Sequence, residues 1–159
     1  MIKMKKLREL ITKPSKFFKK KLSLKESLLW FSIGSAFFSI MVVLVNGYAK
    51  SAGFFKSFIT VYALVWVSYI IVSGITSLSA ISLHAKSLKK IFMVFAYSMI
   101  PFMLFGWIPY VSILVLVWSL STTFIGISEV ERMSYEKSSL AVAVGIFIST
   151  LVFISMLVY

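Results

Sequence analysis

Apolar positions gather into four long uncharged stretches, not into the short amphipathic or alternating runs of a soluble domain. Residues 27–49, 57–83, 91–128 and 138–159 contain no Asp, Glu, Lys or Arg, and they run for 23, 27, 38 and 22 positions. A spanning helix needs roughly 20 mainly apolar residues to cross a hydrocarbon core about 30 Å thick. The first, second and fourth stretches each suit one crossing. As a single helix the third would be about 57 Å long, more than tilt can absorb. It must turn back on itself.

Within the third stretch, residues 97–110 read YSMIPFMLFGWIPY, with Pro101 and Pro109 as the helix breakers. Gly106-Trp107-Ile108-Pro109 is where the chain can reverse. Glycine permits a helix C-terminus with positive φ, and proline is tolerated in the first turn of the next helix, where its missing N–H costs nothing. Trp107 and Tyr110 suit the headgroup level. The pattern therefore predicts an all-α bundle of five transmembrane helices, near 27–47, 56–82, 89–105, 109–128 and 138–158. The third and fourth form a tight proline-capped hairpin. Pro101 lies inside the third span and removes the donor for the carbonyl near Tyr97. This predicts a kink there, which is either a packing feature or the edge of a ligand site in a broken helix.

Composition agrees with a membrane protein: 60 % of the chain is hydrophobic and 14 % charged, where a soluble domain carries about a quarter charged residues. The net charge of +12 is unevenly placed, with ten of 17 basic residues in the first 25 positions. With five spans, the N-terminus, the 83–90 loop and the 129–137 loop share one side and hold fifteen Lys or Arg, against Lys50 and Lys56 opposite. The positive-inside rule then places the N-terminus in the cytoplasm and the C-terminus outside a cell membrane. A four-span alternative needs a re-entrant 91–128 hairpin. The charge distribution also favours anionic headgroups over nucleic acid as the partner of the basic N-terminus. Residues 1–25 predict a basic amphipathic cytoplasmic segment on which Met4, Leu7 and Ile11 share a face, to which Phe18 and Leu22 return, broken near Pro14. Residues 26–159 form the transmembrane domain.

Candidate chemistry is sparse. The chain has no cysteine and one histidine, so thiolate and multi-histidine metal sites are excluded within one chain. No charged residue falls near the middle of a predicted span, which counts against a proton or ion pathway and against acid–base chemistry inside the membrane. Neither a phosphate loop nor HExxH nor GxSxG is present. No catalytic, metal or cofactor-binding residue is therefore assigned. Glu26 opens the first span, where an acidic group suits a helix N-terminus. His84, Glu129 and Glu131 lie at predicted span ends and, with Tyr97, Pro101, Gly106 and Pro109, form the positions of structural or functional interest. Small and hydroxyl residues recur at four-residue spacing in Ser35/Ser39, Ser73/Ser77 and Thr122/Gly126. This predicts close helix contacts, or else a hydroxyl-lined groove.

Several local runs resemble a known family. PSKFF (14–18) stands before the first span, and His84 is followed by the basic KSLKK (86–90). FMVFAYSMIPFMLFGWIP (92–109) and GISEVERMSYEKSSLAVAV (126–144) complete the pattern. Together these resemble the Yip1 domain family in its short prokaryotic form, over about residues 13–159. The resemblance implies five transmembrane helices with a cytoplasmic N-terminus. Eukaryotic members act in membrane traffic and associate with Rab-type GTPases, partly through a cytoplasmic N-terminal region longer than this one. The function expected here is a non-enzymatic organiser or adaptor of membrane lipids or protein partners, a membrane-protein partner or second copy included. The alternative is a component of a small-molecule, ion or lipid transporter or channel. A membrane enzyme would need His84 and a loop glutamate to converge beside a pocket.

Overall fold

A computed structural model describes residues 4–20, 22–46 and 53–158. The described residues form helices α1 (Met4–Thr12), α2 (Pro14–Phe18), α3 (Leu24–Val45), α4 (Phe54–Ser82), α5 (Leu88–Ser98), α6 (Ile100–Phe105), α7 (Val111–Glu131) and α8 (Tyr135–Val158). Five helical units, with α5 and α6 taken together, are long and apolar enough to cross a membrane. The chain is a multi-pass membrane protein.

The α5–α6 unit is the most enclosed span, and α4 presents most of its surface outward. Packing around α5 explains its position: α3, α4 and α7 all contact it, while α4 and α8 form the most extensively packed pair. Outward faces carry Leu44, Leu64, Ile113, Leu114 and Phe147, as lipid contact requires. Among buried aromatics, Phe31 packs on Tyr69 and Trp66 at centroid distances of 4.1 and 5.0 Å. The Tyr69 hydroxyl donates to the Phe92 carbonyl at 2.9 Å and ties α4 to α5.

Lipid is as apolar as leucine, so burying apolar surface supplies little force between spans; close packing of small residues does. The small positions expected at contacts are there: Ser35, Ser39, Ser73, Ser77, Thr122 and Gly126 are all buried. Their hydroxyls mostly bond within their own helix. Ser39 donates to the Ser35 carbonyl at 2.7 Å, Ser77 to that of Ser73 at 2.6 Å, and Thr123 to that of Ser119 at 2.8 Å. Such back-bonding satisfies a hydroxyl in an apolar interior. Across helices, Ser32 and Tyr62 share a hydroxyl bond at 2.8 Å.

Two local details of the hairpin depart from expectation. Gly106 has φ −68°, so positive φ is not its role. A Cβ there would lie 2.5 Å from the Phe102 carbonyl oxygen and 2.8 Å from its ring, so the glycine accommodates the close approach of Phe102. The left-handed residue is instead Tyr110, at φ 65°, which caps α7. Pro109 consequently stands in the turn and not in the first turn of the helix, which begins at Val111. The reversal falls at 106–110, one residue beyond the 106–109 expected.

The interruption at Pro101 is one residue wide. α5 ends at Ser98 and α6 begins at Ile100, with Pro101 in its first turn. Met99 between them keeps near-helical dihedrals of −81° and −10°. It donates to the Phe95 carbonyl at 3.1 Å and accepts from Met103 N–H at 3.0 Å. The two pieces thus continue as one span, and the break lies two residues beyond Tyr97.

Candidate functional site

Ionisable side chains collect at the end of the bundle where α3, α5 and α8 begin and α4 and α7 finish. The chain entering α3 is folded onto this end. Proline at the start of α2 restarts the helix after Lys13, and the turn buries Leu10, Phe17 and Phe18. Phe17 meets Tyr97 edge to face at 5.1 Å. Phe18 fills the space over Gly126, where an added Cβ would come within 2.9 Å of its ring and 2.5 Å of Val94 Cγ1. Leu10, Phe17 and Phe18 are therefore spent on the bundle, while the side chains of Met4 and Leu7 lie outside the described residues.

Polar ties fix the same junction. Ser15 donates to Glu129 Oε1, Lys19 Nζ lies 3.6 Å from Glu129 Oε2, and the Tyr135 hydroxyl reaches Oε1 at 3.4 Å. Lys20 pairs with Glu9. The side chain of Glu131 is fully enclosed. One oxygen accepts the Lys86 backbone N–H, and the other faces Lys90 Nζ at 3.5 Å, an ion-pair distance without a formed hydrogen bond. Glu131 thereby clamps the turn after α4 to the end of α7. A buried carboxylate is tolerable only when paired in this way.

Both turns around Glu131 contain a left-handed residue that is not glycine: His84 at φ 81° and Arg132 at φ 54°. Such a conformation costs an ordinary residue roughly 1–2 kcal/mol, and outliers of this kind gather at functional sites. Between α2 and the two turns lies a cavity of about 1140 Å³. Its floor is apolar, with Phe18, Leu22 and Met93, and its walls bear Lys86, Lys90, Arg132 and Lys137.

The structure brings together His84, Glu129 and Glu131 on this cavity. Tyr97 lies off the cavity lining, in contact with Phe17, with Glu26 close to its hydroxyl. Glu26 also occupies the first turn of α3, as expected of an acidic group there. Gly106 and Pro109 belong to the opposite end of the bundle, while Pro101 lies within the third span. A second cavity of about 420 Å³ lies within the spans, walled by Phe31, Val65, Tyr69, Phe95, Met99 and Phe102. It abuts the Met99 interruption, but its lining is apolar. Sequence reasoning did not find the docking of Phe17 and Phe18 or the clamp of Glu131 on the 83–87 turn. It also missed Gly145, whose added Cβ would approach Thr76 Oγ1 to 2.0 Å. The four-residue spacing of Ala141, Gly145 and Ser149, all buried, is a signal that could have found the last of these.

No group of three or more metal-ligating His, Cys, Asp or Glu side chains occurs among the described residues. No curated protein and no solved structure matches the chain. The Yip1 domain matches residues 8–158, which takes in α2, both cavity turns and all five spans. With that match over nearly its whole length, the chain belongs to the Yip1 domain family.

Proposed function

We propose that this Yip1 family protein is a non-enzymatic organiser of the membrane. Its basic end faces the cytoplasm, its C-terminus lies outside the cell membrane, and it gathers anionic lipid headgroups, with a membrane-protein partner or a second copy alongside. The observation that carries this reading is the placement of the large charged cavity at one end of an apolar bundle. Cations at helix ends meet headgroups directly, and each is worth about 1 kcal/mol near an anionic surface. The fifteen-to-two distribution of Lys and Arg supports the orientation.

The alternative is a transporter or channel component, which would draw on the cavity beside Met99. Its walls offer Ser68 and Tyr69 as hydroxyls among apolar side chains, a lining suited to an acyl chain and not to an ion. Extraction from native membranes in a lipid-retaining polymer, followed by mass identification, tests the proposal. Anionic lipids should be enriched over the bulk membrane, and proteoliposomes should show no solute or ion flux above background. Flux without lipid enrichment would replace the organiser with the transporter.

A further inference from the structure

We infer that the cavity between α2 and the His84 and Arg132 turns is a discrete binding site for a multiply charged phosphate group, of the kind a phosphomonoester headgroup carries. The inference rests on the organiser reading and narrows it from diffuse surface attraction to one pocket. Six Lys or Arg side chains line the cavity against two glutamates. Both glutamates are already engaged: Glu129 by Ser15, Lys19 and Tyr135, and Glu131 by the Lys86 N–H and Lys90. The remaining cations, Lys86, Arg132 and Lys137, are exposed and pair with no carboxylate among the described residues. A cationic surplus therefore faces one volume from three separate elements.

Two features distinguish this from an ordinary solvated surface. The walls are held by a fully enclosed carboxylate, Glu131, which fastens one cationic turn to the other. Two of the three non-glycine left-handed residues of the described chain also line this cavity. Arg132 is held in that conformation although glycine would adopt it without strain. Arginine there places a guanidinium, with its fork of donors for phosphate oxygens, at the cavity wall. The apolar floor of Phe18, Leu22 and Met93 can receive the glycerol and first methylenes of a lipid. A phosphate-bearing lipid and a soluble phosphate compound share the recognising chemistry.

The test uses the full-length protein in phosphatidylcholine nanodiscs. Binding of short-chain phosphatidic acid, short-chain phosphatidylglycerol and pyrophosphate is measured for the wild type and two triple variants. K86Q/R132Q/K137Q removes the unpaired cavity cations. K13Q/K16Q/K25Q removes three exposed charges at the same end that do not line the cavity. At about fivefold per cation, the cavity triple should lose on the order of 100-fold in phosphatidic acid affinity, while the control triple keeps at least a third of it. Phosphatidylglycerol, with one charge, should bind more weakly than phosphatidic acid to the wild type. Pyrophosphate competing for the site would mark a soluble ligand as sufficient; its failure to compete would mark the lipid as the source, and both outcomes retain the site. Equal losses in the two triples would overturn the discrete site while leaving diffuse headgroup attraction intact. No preference for any anion in the wild type would overturn both. Unchanged thermal melting of ligand-free variants excludes misfolding as the cause of a loss.

Discussion

Adding one methyl group at two different glycines should separate the forces that hold this bundle. Gly145 of α8 faces Thr76 of α4 so closely that an alanine Cβ would lie 2.0 Å from Thr76 Oγ1 and 2.8 Å from its Cα. Thr76 is fully buried. Rotating its side chain cannot relieve a contact with Cα, so the two helices must separate. Overpacking of this kind costs typically 1–3 kcal/mol, and involvement of backbone puts Gly145→Ala at the upper end, about 3 kcal/mol. Gly74, in α4, has no atom within 4 Å of an added Cβ, so Gly74→Ala should be neutral or stabilise by up to about 1 kcal/mol through helix propensity. Reversible unfolding in mixed micelles measures both. The double variant Gly145→Ala/Thr76→Gly should recover part of the loss as a coupling energy. Equal effects at Gly145 and Gly74, or no recovery in the double variant, would refute close α4–α8 packing as a main source of stability.

Three further substitutions probe the ends of the bundle in the same unfolding assay. Glu131→Ala should cost about 2–3 kcal/mol, because the Lys86 N–H loses its acceptor; Glu131→Gln keeps an acceptor and should cost about 1 kcal/mol, since Lys90 is half exposed. Arg132→Gly should stabilise by about 1 kcal/mol by removing a left-handed non-glycine residue, while weakening phosphatidic acid binding several-fold. Pro109→Ala should cost no more than about 1 kcal/mol, because Pro109 is exposed in the turn and its loss mainly frees the unfolded chain.

The spans were legible because hydrocarbon excludes charge: the uncharged runs ending at Leu83 and Ser128 correspond to helices ending at Ser82 and Glu131. The 38-residue run forced a reversal by length alone, and the structure places it at 106–110. Which residue would take the left-handed conformation was not legible. Glycine is favoured there intrinsically, but the turn's geometry assigns it to Tyr110. His84, Glu129 and Glu131 stood out because charge at a span end is conspicuous, yet their partners lie far along the chain: Ser15 for Glu129 and Lys86 for Glu131. The docking of Phe17 and Phe18 was hidden for another reason. Adjacent aromatics among lysines fit an amphipathic surface helix as well as a buried plug, and only the hollow over Gly126 decides between them.

Five spans bring α2, the His84 turn and the Arg132 turn to one face of the membrane, with the Tyr110 turn on the other. The chain lacks cysteine, so a single introduced thiol is the sole target of a membrane-impermeant maleimide. Variants Lys16→Cys, His84→Cys, Arg132→Cys and Tyr110→Cys, all at exposed positions, can be labelled in intact cells and again after permeabilisation. Tyr110→Cys should react in intact cells, and the other three only once the membrane is opened. Labelling of Tyr110→Cys on the same side as His84→Cys or Arg132→Cys would contradict the hairpin, the five-span fold and the shared cavity together.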